Sequence, residues 1–122
     1  MSTRIKKVVA RKVFNIRGEE TIEIDVITKN GFGRASAPAG ASRGKEEAVS
    51  YPEGGVDAAI KKVEEIIAPK LVGIDAQRQG EIDLLLHKID GTENFRNIGG
   101  NTSYAISLAI ADAAACSLDV PL

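Results

Sequence analysis

The sequence predicts an α+β domain: a three-stranded antiparallel β-meander followed by a helical layer on one face. Three observations carry this expectation. Apolar residues recur with period two in the first third of the chain, an Asn-Gly pair interrupts that pattern, and from Val56 onward the apolar period becomes helical. Strands therefore come first and helices after them.

Ile5 to Phe14 is rich in Val and Ile with basic residues interleaved, which predicts a strand. Thr21 to Thr28, "TIEIDVIT", alternates: Ile22, Ile24 and Val26 share one side, Glu23 and Asp25 the other. Asn30-Gly31 then predicts a tight hairpin with positive φ at both turn positions. Gly31 to Pro38 is the returning strand, ended by a proline that cannot donate to a ladder. "VDAAIKKVEEIIAP" places Val56, Ile60, Val63 and Ile67 on one helical face, with Pro69 as the expected stop. "DAQRQGEIDLLLHKIDG" groups Ile82, Leu85, Leu86 and Ile89, with Asp75 as N-cap and Gly91 just past the C-terminus. Asn101 to Leu118 is an Ala-rich helix, capped by Asn101 and ended before Pro121; its small residues allow close approach to neighbouring elements.

A chain of 122 residues fits one domain, and 43% hydrophobic residues suffice for a core. With aromatics at 4% and no Trp, that core must come from Ile, Val, Leu and Ala. Sixteen basic residues stand against seventeen acidic, so there is no basic face for nucleic acid and no polybasic membrane patch. The one cysteine, Cys116, excludes an intrachain disulfide and a Cys-based metal site, and suits a reducing cytoplasm. Arg11 and Lys12 break the N-terminal apolar run, so it does not read as a signal peptide. The longest apolar stretch, Tyr104 to Cys116, contains Asp112 and falls short of the roughly 20 residues a membrane span needs.

Few residues invite chemistry. His87 stands alone among leucines, without the second His at i+4 that a zinc helix needs. The acidic pairs Glu46/Glu47, Glu64/Glu65 and Glu23/Asp25 read as surface or loop groups with no apolar pocket to raise a pKa. Cys116 reads as a small core residue. "GFGRAS" runs along a predicted strand and opens no helix, so it makes a poor phosphate cradle. "GASRG", Gly40 to Gly44, has two readings. It is a plain connector, or a loop whose glycines free the backbone and whose Ser42 hydroxyl and amides hold a metal or a phosphate.

Two long stretches together resemble one family. "ARKVFNIRGEETIEIDVITKNGFGRASAPAGASRG" resembles the opening of enolase, A-R-x-x-x-x-S-R-G-x-P-T-x-E-V followed by P-S-G-A-S-T-G. "IDGTENFRNIGGNTSYAISLAIADAAACSLDVPL" resembles that family's L-D-G-T-x-N-x-x-x-L-G-A-N, its Ala-rich helix and its closing P-L. The match runs from about Val9 to Leu122. The resemblance implies that residues 1–122 are a single enolase-type capping domain, with the catalytic barrel absent. Enolases dehydrate 2-phosphoglycerate using two Mg²⁺ ions and a Lys base, and the metal carboxylates and the base belong to the barrel. The capping domain contributes a substrate loop, here Gly40, Ala41, Ser42, Arg43 and Gly44, in which Ser42 matches the Mg²⁺ ligand. Glu23 matches the dimer-interface Glu that pairs with an Arg of a partner's barrel, and Arg11 matches the Arg in the same interface region.

The sequence also departs from the family. Its first loop Ser is Ala39 here, its loop Thr is Arg43, and the Ser before Arg-Gly is Ile16. The segment after the loop is shortened to "EEAVSYPEGG" and lacks the usual Arg-Asp pair. Three functions compete on this reading. The chain is a cap that acts with a barrel supplied elsewhere, an independent enolase-like interaction module that self-associates or binds another partner, or a catalyst in its own right. The missing carboxylates and Lys argue against the third. The expected partners are thus a barrel domain or a second copy, and the expected cofactor is Mg²⁺ only in complex with a barrel.

Overall fold

The computed structural model describes residues 3–37 and 49–119. The sheet has the expected three strands, β1 (Ile5–Phe14), β2 (Glu20–Thr28) and β3 (Phe32–Ser36), in the order β1-β2-β3. Both pairings are antiparallel. Cross-strand rows follow from the register. Val8 lies opposite Val26, which lies opposite Gly33; Ala10 lies opposite Ile24, which lies opposite Ala35. This face is the core side, and Ile22, Ile24 and Val26 are wholly buried. The alternation in "TIEIDVIT" thus translates directly into one buried face, each large side chain contributing about 1.5–3 kcal/mol by its burial.

The helices are α1 (Gly55–Lys62), a π-helical stretch (Val63–Ile67), α2 (Ala68–Leu71), α3 (Gln79–Asp90) and α4 (Gly100–Ser117). The segment from α1 through α2 packs against β1, while α4 lies across β2 and β3. Val56, Ala59, Val63, Ile67 and Leu71 form one buried stripe, and Ile82, Leu86, Ile106 and Ile110 complete the core. Among the described residues no helix is long and apolar enough to cross a membrane.

Four local expectations are corrected. Pro69 does not stop the helix. The Ala68 N–H bonds to the Val63 carbonyl five residues back, and the widened turn makes room for the proline ring and its missing donor, so helix continues to Leu71. Asp75 caps a turn ahead of α3 rather than α3 itself: it accepts the Gln77 N–H at 2.9 Å and the Thr3 hydroxyl at 2.5 Å. Asn101 lies buried in the first turn of α4, and Gly99 occupies the cap position. A Cβ at Gly99 would meet the Ser50 carbonyl at 2.6 Å. Cys116 is exposed, because the stripe Ala105, Ala109, Ala113 and Ser117 takes the buried face of α4 and leaves position 116 off it. Gly91 does adopt the left-handed conformation expected at the end of α3.

The hairpin glycines also serve another purpose. Neither Asn30 nor Gly31 has a positive φ. A Cβ at Gly31 would lie 2.3 Å from Ser117 Oγ, and one at Gly33 would lie 2.1 Å from the Ala109 carbonyl and 2.4 Å from the Ala113 nitrogen. Both glycines are missing side chains that let the α4 backbone sit directly on the sheet.

Candidate functional site

The other face of the sheet is built from the alternate positions of the same strands. Arg11 lies opposite Glu23, which lies opposite Ser36; Val9 lies opposite Asp25, which lies opposite Arg34. The structure therefore brings the two predicted interface residues together. Arg11 Nη1 donates to Glu23 Oε1 at 2.8 Å, and the Ser36 hydroxyl donates to Glu23 Oε2 at 3.0 Å.

Asp25 is the centre of this cluster. Arg34 Nε donates to its Oδ1 at 2.7 Å and Arg34 Nη2 to its Oδ2 at 3.0 Å. Arg11 reaches the same carboxylate from the other strand, with Nη1 at 3.1 Å from Oδ1 and Nη2 bonded to Oδ2. Asp25 is only 6% exposed, although among the described residues no helix covers this face. The two arginines spread over it and exclude water. Their hydrogen bonds, Arg34 first and then Arg11, hold the Asp25 carboxyl well below the usual carboxylate range against its desolvation. The same contacts push the Arg11 guanidinium up, through Asp25 and then Glu23. The Arg34 guanidinium also lies 5.2 Å from the centre of the exposed Phe32 ring. The result is a paired array of two cations and two carboxylates on the sheet face opposite the core.

Sequence reasoning took Glu23/Asp25 for solvated surface groups and did not single out Arg34. The signal was available in the hairpin: pairing across Lys29-Asn30 sets Arg34 opposite Asp25.

The predicted substrate loop, Gly40, Ala41, Ser42, Arg43 and Gly44, lies outside the described residues, as do Glu46 and Glu47. The residues that flank it are well held. Ala37 donates to the Ile22 carbonyl at 3.2 Å, extending β3 by one rung. On the far side the Val49 N–H bonds to the Asn94 carbonyl at 2.8 Å, the Gly100 N–H to the Val49 carbonyl at 2.6 Å, and the Asn101 N–H to the Ser50 carbonyl at 3.0 Å. The second stem is thus fastened to the "DGTENFRNIGGN" stretch.

That stretch is organised by Asp90. Its buried carboxylate accepts the N–H groups of Thr92 at 2.9 Å, Asn97 at 2.9 Å and Ile98 at 2.8 Å, and the Thr92 hydroxyl. Burial pushes the Asp90 carboxyl up, but these bonds outweigh it and hold it below its ordinary value. An Asp followed two residues on by Thr, and seven and eight residues on by Asn and Ile, is therefore a loop-folding motif.

The His87 and Phe95 rings pack in a tilted arrangement with centres 4.3 Å apart and planes at 44°, and both line an open groove of about 490 Å³ between α3 and α4. Within that groove Gln79, Asp83 and Ser107 satisfy one another, with Gln79 Nε2 and the Ser107 hydroxyl at 2.7 Å and the hydroxyl donating to Asp83 at 2.9 Å. This is a closed polar network rather than a set of groups poised for a reaction. Among the described residues no group of three or more His, Cys, Asp or Glu is placed to hold a metal ion.

Comparison with known proteins agrees with this architecture. The family model described as "Enolase, N-terminal domain" matches residues 5–122. The enolase of Methanothermobacter thermautotrophicus is 52% identical over 122 residues, covering all of this chain and 29% of its own length. The enolases of Methanosphaera stadtmanae and Pyrococcus furiosus are 51% and 49% identical, covering 100% and 94% of this chain. The chain spans about 30% of the length of these relatives. The meander, the α4 helix seated on its glycines and the Asp90-held loop therefore form an enolase N-terminal domain, and the chain belongs to the enolase family.

Proposed function

We propose that this chain works as the capping domain of an enolase. On this reading the segment containing Gly40, Ala41, Ser42, Arg43 and Gly44 closes over 2-phosphoglycerate held by a barrel domain, and Ser42 adds an oxygen ligand to a Mg²⁺ ion bound there. The observation that carries the reading is the match of nearly the whole chain to the N-terminal domain of enolases, while the relatives are about three times longer. The described residues do not suit a resident Mg²⁺, which needs several oxygen donors arranged octahedrally. The carboxylate donors and the base would come from the barrel, and no bond-making step is assigned to the described residues of this chain. Their part is to hold the two ends of the loop, Ala37 on β2 and Val49 on the Asp90-held stretch, in one rigid frame. The outer sheet face, with Arg11 and Glu23, is the surface we assign to the barrel of a second subunit. Its support is an array of paired charges that, among the described residues, no helix covers.

The test is a chimera in which this chain replaces the matching N-terminal residues of the Methanothermobacter thermautotrophicus enolase. The isolated chain should not dehydrate 2-phosphoglycerate with Mg²⁺, and the chimera should. Ser42→Ala should remove much of that activity, since losing one metal oxygen weakens charge stabilisation in the barrel. Arg43→Thr should raise it by removing a cation beside the ligand. An inactive but folded chimera, or activity indifferent to both substitutions, defeats the reading.

A further inference from the structure

We propose that Tyr51 is a positioning residue whose hydroxyl ties both stems of the 38–48 segment to β2. The inference rests on the reading that this segment carries the substrate loop. The last backbone rung beyond the β2–β3 ladder is the Ala37 N–H to the Ile22 carbonyl, and the reciprocal donor, the Ile22 N–H, is not taken by the Ala37 carbonyl. The Tyr51 hydroxyl takes its place, accepting that N–H at 3.2 Å. The same hydroxyl lies 2.9 Å from Thr21 Oγ1, and Thr21 Oγ1 donates to the Ala37 carbonyl at 2.8 Å. A threonine hydroxyl has one proton, already committed to Ala37, so Tyr51 is the donor to Thr21. The bonds then run in one direction: Ile22 N–H to Tyr51, Tyr51 O–H to Thr21, Thr21 O–H to the Ala37 carbonyl. Such a chain is mutually reinforcing, and it sits where Thr21 is only 4% exposed.

Its two ends belong to the two stems. Ala37 is the last described residue before the segment, and Tyr51 follows Val49 and Ser50, whose backbones are fastened to residues 94–101. The relay therefore sets the separation and orientation of the stems. Without it, the substrate would have to order the stems at its own expense on binding, while the chemistry in a saturated complex would be unchanged. The expected signature is a rise in KM without a fall in kcat.

The experiment uses Tyr51→Phe, and Thr21→Val as a second variant, in two settings. In the chain itself, amide hydrogen exchange at Ile22 should accelerate about fivefold in Tyr51→Phe relative to Ile24, from the loss of one hydrogen bond. In the chimera described above, KM for 2-phosphoglycerate should rise about fivefold in either variant, with kcat held within about twofold, and the double variant should be no worse than either single one. Unchanged Ile22 exchange overturns the tie. Accelerated exchange with unchanged KM overturns the positioning role, as does a fall in kcat matching the rise in KM. An inactive parent chimera removes the capping-domain reading and the positioning role with it, while the Ile22 exchange still decides whether the tie exists.

Discussion

Gly33→Ala tests the contact on which the two layers of this domain depend. The added Cβ would lie 2.1 Å from the Ala109 carbonyl and 2.4 Å from the Ala113 nitrogen, whereas ordinary contacts begin at about 3.4 Å. Both neighbours are backbone atoms, so no rotamer change relieves the overlap, and α4 must retreat by more than about 1 Å. A gap of that size forfeits a quarter to a half of the dispersion energy of each contact it opens. The contacts at stake are those of Ala105, Ile106, Ala109, Ile110 and Ala113, all wholly buried. We expect a loss of about 3 kcal/mol, the upper end of the usual overpacking range. In urea, followed by far-ultraviolet circular dichroism, this lowers the unfolding midpoint by about 1–3 M at the m-values usual for small domains. Gly80→Ala is the control. Gly80 is exposed in the first turn of α3 with nothing within 4 Å of its Cβ position, and its substitution should be neutral or stabilise by up to about 1 kcal/mol. A Gly33→Ala loss below about 1 kcal/mol, or one no larger than the control's, refutes the view that this glycine is there for helix approach.

Asp25→Asn should destabilise the chain by about 1–2 kcal/mol, since it weakens hydrogen bonds from two arginines that can partly return to water; urea titration reads this. The pH dependence follows from the same groups. Asp25, Asp75 and Asp90 all have folded-state pKa values below their ordinary ones. Their stabilisation is present above the unfolded carboxylate pKa of about 4 and is lost as pH falls through the folded values. The unfolding midpoint should therefore drop below about pH 4, and less steeply in Asp25→Asn; equal slopes would count against the Asp25 assignment. Asp90→Ala should cost about 3 kcal/mol by leaving the buried Ile98 amide and the part-buried Asn97 amide without an acceptor, and should speed exchange at those two amides first. Cys116 should react with a thiol reagent in the native state at a rate close to that of the unfolded chain, whereas slow or absent labelling would return it to the core.

The strand and helix inventory was legible because periodicity is local. Ile22, Ile24 and Val26 alternate whatever the rest of the chain does, and Val56, Val63 and Ile67 recur at helical spacing in the same way. Those patterns state which face each element must hide, and the motifs in the two halves of the chain point to the family by themselves. Tertiary structure decided matters in which two distant segments compete for the same space or the same hydrogen bond. Pro69 continues a helix because a π turn ahead of it makes room, and Asp75 serves a turn because Thr3 and Gln77 reach it first. Asp25 became the centre of a charge array once the hairpin register set Arg34 beside it and the β1–β2 register brought Arg11 from the other side. Gly31 and Gly33 carry no sign in the sequence that separates a turn glycine from a packing glycine. That distinction depends on α4, about 80 residues away along the chain, because an absent Cβ has meaning only relative to the atoms that fill its place.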